Sequence, residues 1–276
     1  MRVIRNDAVI SSRDARALAP EISRRDQILI ATCILLICAL AWAYLVHLGA
    51  RASSIQLAAN TIAGMGMPMD APVGATGVLL TFSMWAVMMV GMMGPTAAPV
   101  LLLLAASHAR REERGVPAVV LLFGLGYLTI WLGFSVGATL VHWALNRATV
   151  LSSIMAIGNP RVGGALFIGA GAYQLTPYKN ACLEHCQTPM GFLMSHWREG
   201  PGGAFRMGLR HGVYCLGCCW ALMALLFALG VMNLLWVAVL TVFILAERVG
   251  KSTVVARLGG AVMIGVGVFL MVAIMR

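Results

Sequence analysis

Long apolar stretches alternate with short polar ones along the chain. Seven windows, 28–48, 77–105, 116–145, 162–176, 205–229, 231–246 and 255–275, carry almost no charge. Crossing the roughly 30 Å hydrocarbon core of a bilayer at 1.5 Å per helical residue takes about 20 apolar residues. Five windows reach that length; 162–176 and 231–246 fall short and suit tilted or re-entrant segments. The pattern predicts an all-α polytopic membrane bundle of about seven transmembrane helices, with a polar tail over 1–27 and a single transmembrane domain over 28–276. The first window follows 27 mostly polar residues and precedes no small-residue cleavage site, so it reads as a span and not a signal peptide.

Composition agrees with this pattern. The chain is 60% hydrophobic and 11% charged, with a mean hydropathy of +0.87, which excludes a water-facing surface over most of its length. The net charge of +10 raises the question of nucleic acid, and its distribution answers it. With seven spans, sixteen Lys and Arg residues fall on the side of the amino terminus and four on the other. That asymmetry predicts an N-in, C-out topology in a bacterial inner membrane and no nucleic-acid partner. The seven cysteines avoid every segment expected outside, so they read as reduced thiols or metal ligands and not as disulfides.

Three groups of residues could carry chemistry. In the second window Met84, Met88 and Met92 repeat at i, i+4, i+8, with Met89 and Met93 in the adjacent row, just before Pro95. Thioethers then line one helix face, either as ordinary gap-filling core or as a path for a soft metal. In the fifth window His211, Cys215 and Cys218 share a stripe, bordered by Cys219. Thiolate with imidazole selects Cu(I) or Zn(II). The segment 177–204, expected as a cytoplasmic Cys/His loop, holds Cys182, His185 and Cys186 within about one helical turn, but no second ligand pair that would make a zinc finger. Glu247, the one acid in or bordering a span, reads either as a functional acid or as the partner of its neighbour Arg248 in a plain ion pair, while His47, His108 and His142 are expected at membrane interfaces. Met65, Met67 and Met69 alternate in a Gly/Pro-rich loop expected outside.

These motifs resemble those of a widespread bacterial family of predicted metal-binding integral membrane proteins, some of them labelled copper chaperones. The resemblance runs over about 77–275. It rests on Met84-Trp85 with the methionine pairs to Gly94-Pro95, on Tyr173-Gln174-Leu175-Thr176-Pro177 leading to Lys179 and Cys182 to Cys186, and on Gly208-Leu209, His211-Gly212, Cys215-x-x-Cys218-Cys219-Trp220 and Met223. It implies a metal-handling membrane protein. The expected function is binding and relay of a soft ion, Cu(I) before Zn(II): collected by Met65, Met67 and Met69, passed along the Met84 row, held by the fifth-window thiols and His211, and exchanged through Cys182, His185 and Cys186 with a soluble metallochaperone or membrane complex. No nucleotide-binding or phosphorylatable-aspartate motif is visible, which argues against an ATP-driven pump. Two rival readings are a thiol oxidoreductase coupled to quinone and an assembly subunit of a membrane metallo-oxidase.

Overall fold

A computed structural model of the chain describes residues 24–63, 75–110, 116–148, 159–250 and 253–273. Among them the chain is helical throughout, with no strand: α1 (Arg24–Ala63), α2 (Ala75–Arg110), α3 (Val116–Arg147), α4 (Pro160–Gln174), α5 (Pro177–Gln187), α6 (Pro189–His196), α7 (Gly200–Ala224), α8 (Leu226–Leu229), α9 (Leu234–Val249) and α10 (Val254–Ala273). Five segments are long and apolar enough to cross a membrane: Gln27–Arg51, Thr76–His108, Val116–Arg147, Gly200–Leu229 and Val254–Ala273. The two short windows appear as α4 with 15 residues and α9 with 16, each about 24 Å or less in length.

Two expectations change. The stretch between the first two windows, 49–76, reads from its polarity as a loop, but its first part is helix, because α1 continues to Ala63; residues 49–63 contain five alanines and no proline, so nothing stops the helix. Met65, Met67 and Met69 lie outside the described residues, as do the tail up to residue 23 and most of the segment between α3 and α4. The segment 177–204 is not a solvated loop. It folds into α5, α6 and the start of α7, and α5 packs along α7.

The packing is inverted relative to a water-soluble protein. Large apolar side chains point outward, including Leu35, Leu40, Leu79, Leu121, Leu258 and Phe269. Lys179, Glu247, His211 and three cysteines of α7 are buried. An apolar exterior around a polar interior is the arrangement a bilayer rewards, and it is compatible with a multi-pass membrane protein.

Small residues set the closest contacts. α3 crosses α7 where Gly126 and Gly208 meet the partner backbone; a Cβ on Gly126 would strike the Phe205 carbonyl, and one on Gly208 the Phe123 carbonyl. α4 pairs with α10 in the same way, and a Cβ on Gly171 would lie 2.6 Å from the Gly260 oxygen. Such contacts favour tight helix pairs where lipid competes for apolar surface. The α3–α7 crossing brings Tyr127 to the thiol stripe of α7. The buried face of α2 runs from Met84 through Met88 and Met92 to Thr96 and Val100, and it belongs to the same core as that stripe.

Candidate metal centre

α7 begins after Glu199 at Gly200, whose φ of 77° suits a residue without Cβ. One face then presents Met207, His211, Cys215, Cys219 and Met223 at successive intervals of four, with Cys218 beside them. All six are buried. The Cys218 and Cys219 thiols donate to the Cys215 carbonyl at 3.1 and 2.8 Å, which folds them against the helix and turns them inward. His211 is fully enclosed by the rings of Phe123, Tyr127 and Phe192, with centroids 5.9, 5.8 and 5.0 Å away. Both its ring nitrogens lack a hydrogen-bond partner, an uncommon state for buried polar atoms.

The Tyr-Gln-Leu-Thr-Pro run is the device that delivers α5 to α7. The Tyr173 hydroxyl donates to the Gly217 carbonyl at 2.5 Å. Thr176 caps α5, its side chain accepting from the Lys179 N–H at 3.3 Å, and Pro177 opens the helix where no backbone donor is needed. Gly217 leaves room for Cys182, since a Cβ there would sit 2.8 Å from the Cys182 sulfur. Cys186, one turn further, is buried beside Cys218. Its thiol is held well above its usual range, first by that neighbouring thiol and then by burial, and Cys182 is raised by burial and by the charge of Cys218.

Glu247 and Arg248 do not pair with each other, contrary to the expectation from their adjacency. Successive residues of a helix point about 100° apart, and these two enter different clusters. Glu247 accepts from the Lys179 ammonium at 2.7 and 2.8 Å and from Gln174 at 2.8 Å. Gln187 closes the end of α9 by donating to the carbonyls of Glu247 and Gly250, both at 2.7 Å. Burial pulls the Lys179 ammonium down from its ordinary range while the Glu247 carboxylate works against that shift. Arg248 turns to the thiols: one terminal nitrogen donates to Cys215 at 2.7 Å and reaches Cys218 at 3.6 Å. Its Nε and its other terminal nitrogen are buried without partners.

The methionine rows reach the same space. Met84, Met88, Met89, Met92 and Met93 are all buried, so they form the core-facing side of α2. Tyr127 of α3 joins them to the thiols: its hydroxyl lies 3.1 Å from the Met93 carbonyl, 3.0 Å from Thr96 and 3.0 Å from the Cys215 sulfur. Nearer the start of α2, Trp85 packs on Phe227 of α8 with centroids 5.1 Å apart. The methionine face of α2 and the thiol stripe of α7 thus belong to one core, linked by Tyr127 and by the Trp85–Phe227 contact.

Not every expected ligand converges. His185 turns away from Cys182 and Cys186 and stacks on Tyr214 at 4.2 Å and 11°. Among the described residues no three His, Cys, Asp or Glu side chains surround one point as a metal site, so the chemistry available to nitrogen and thiol donors is that of pairs. His108 and His142 are buried, not interfacial, with His108 against Trp197 at 4.8 Å and His142 near Phe227 at 6.3 Å; His47 is exposed. Tyr127, Arg248 as a thiol partner, and Met207 stand outside the site residues that the motifs predict. The fourfold spacing from Met207 to Met223 was a signal for the last; the first two come from distant helices and leave none.

A protein-family model described as PpoB2, copper chaperone, matches residues 82–270. That stretch contains every buried sulfur described above on α2, α5 and α7, and excludes α1. No curated protein and no solved structure matches the chain.

Proposed function

The chain belongs to the PpoB2 copper chaperone family, and from that premise we propose that it binds Cu(I) within the bilayer and relays it between the two membrane faces. Pairs among Cys186, Cys215 and Cys218 hold the ion, with Cys219 and His211 as flanking donors. Met84, Met88, Met89, Met92 and Met93 form the weaker thioether route leading to them. Thioethers release Cu(I) readily, whereas thiolates hold it until another thiolate takes it. With the amino terminus inside, the methionine rows serve the outer half of the membrane, and Cys182 with Cys186 serves exchange with an inner partner. In this proposal the protein works in the bacterial inner membrane.

One observation carries this reading: Arg248 points its guanidinium at Cys215 and Cys218, with no carboxylate on it among the described residues and two of its nitrogens unpartnered. Two thiolates on one Cu(I) sum to a charge of minus one, and a buried arginine is the counter-charge such a complex needs. A purely structural thiol pair needs no cation.

Cu(I) titration of the detergent-purified protein against a chromophoric chelator tests the proposal. Cys218→Ser, which removes the thiol shared by the Arg248 and Cys186 contacts, is expected to weaken the tightest ion by at least about 100-fold. Unchanged affinity and stoichiometry in this variant and in Cys215→Ser would remove the site. A second reading, thiol oxidation by quinone, is favoured by one feature. Tyr127, in contact with Cys215, also lines an apolar cleft of about 570 Å³ between α1, α2 and α3. Quinone reduction by metal-free protein, with loss of free thiols, would support it in place of the copper reading.

A further inference from the structure

Outside the thiol cluster, α5, α6 and α7 bring a second donor group together. His185 from α5 and His196 from α6 lie with ring centroids 6.2 Å apart and planes at 60°. Each ring is held by its neighbours: His185 stacks on Tyr214, and His196 stacks on Phe192 at 5.0 Å and 21°. Both remain partly accessible.

The hydrogen bonds fix which nitrogen is free. His185 Nδ1 lies 2.8 Å from the Ala181 carbonyl, which can only accept, so this nitrogen carries the proton. His196 Nδ1 lies 3.1 Å from the Phe192 carbonyl and 2.7 Å from the Ser195 hydroxyl, which itself donates to the Gly191 carbonyl at 2.8 Å. It too is the protonated nitrogen. In both neutral rings the lone pair then sits on Nε2. A metal-binding imidazole is prepared in this way, with one N–H anchored to backbone and the other nitrogen presented.

We propose that His185 and His196 together hold one Cu(I) ion in two-coordinate, near-linear geometry, as a surface station for ions passing to or from the buried thiols; the role as a station rests on the copper-relay reading above. The spacing selects the geometry. With metal–nitrogen bonds of about 2 Å, two imidazoles on one ion put their centroids about 5.2 Å apart at a tetrahedral angle and about 6.3 Å apart when linear. The observed 6.2 Å suits the linear arrangement, which Cu(I) accepts and Zn(II) does not. Charge points the same way. His196 also lines a small cavity with Arg198, Arg206 and Arg210, and a monovalent ion meets less repulsion there than a divalent one. Between this pair and the α7 stripe stands Phe192, in contact with both His196 and His211.

The test uses the full chain in detergent and Cu(I) alone, titrated anaerobically against a chelator. His185→Asn and His196→Asn keep a donor near the Nδ1 position and delete Nε2. Each is expected to lose the same single, weaker ion, at least tenfold in affinity, and the double variant is expected to lose no more. Full stoichiometry in either single variant, or loss of different ions in the two, overturns the site. In unsubstituted protein, Cu(I) is expected to protect both histidines together from diethyl pyrocarbonate, mapped by mass spectrometry; modification of either at saturating Cu(I) also overturns it. Failure here with loss of the tight ion in Cys218→Ser leaves the thiol centre standing, and the reverse pattern leaves only the histidine site.

Discussion

Glu247 and Arg248 are neighbours in sequence, yet they lie in clusters of opposite character. The Glu247 cluster is closed at its charges: its carboxylate meets the Lys179 ammonium through both oxygens and accepts from the Gln174 Nε2 as well, leaving the Gln174 Oε1 without a partner. The Arg248 cluster is open. A guanidinium with five donors finds two sulfur acceptors, and beyond them stands His211 with two unpartnered nitrogens. Where opposite charges are matched, the protein is holding itself together; where a buried charge meets no opposite charge, the site has room for an anionic complex. The closed cluster ties α4, α5 and α9 into one unit, and the open one lies where α3, α5, α7 and α9 meet.

If that contrast is sound, the two clusters respond differently to substitution. The largest effect is expected at Lys179→Met, which strands a carboxylate that is 2% exposed and should cost about 3 to 5 kcal/mol of stability. Unfolding in graded denaturing detergent measures it. Adding Glu247→Leu should recover most of the loss, because two apolar residues of similar size replace a buried pair at little net cost. A double variant as unstable as the single would mean that the pair does more than neutralise itself.

At Arg248 the order reverses. Arg248→Gln removes donors that are mostly unsatisfied, so stability should change by no more than about 1 kcal/mol, while Cu(I) affinity falls about 10- to 100-fold, as for loss of an outer partner of a metal ligand. Chelator competition and an unfolding curve on the same preparation separate the two quantities. A destabilised variant with undiminished copper binding would make Arg248 structural and erase the distinction from Glu247.

Much of this arrangement was legible in the chain and some was not, for physical reasons. Apolar run length marked the helices, because the thickness of the bilayer sets a length that no loop imitates. The His211, Cys215, Cys218 stripe was visible because helical spacing is local, and its inward direction follows from the cost of facing thiols and imidazole to lipid. The Tyr-Gln-Leu-Thr-Pro run was recognisable as a marker, but its work, capping α5 and anchoring it to Gly217 and Glu247, needs partners 44 and 73 residues away. Adjacency misled at Glu247 and Arg248, since neighbours on a helix do not share a face. The extent of α1 was missed for the opposite reason: a polar but alanine-rich stretch forms helix without apolar periodicity.

The smallest expected effect probes the seam between the two sulfur regions. The Tyr127 hydroxyl touches the Met93 carbonyl, Thr96 and Cys215 together, so it connects the thioether face of α2 to the thiols of α7. Tyr127→Phe keeps the ring against Trp131 and His211 and deletes only the oxygen. Stability should fall by about 1 kcal/mol, the ordinary net worth of a hydrogen bond, because Thr96 still has the Met93 carbonyl as acceptor. Equilibrium Cu(I) affinity at the thiols should change less than at Arg248→Gln, since the hydroxyl brings no charge. If Tyr127 also aligns Cys215 with the end of the methionine rows, the variant should slow ion exchange between the two without altering how tightly either holds it. Stopped-flow transfer of Cu(I) from the loaded protein to a chelator reads that rate, and a rate equal to the unsubstituted protein's would leave Tyr127 as packing alone.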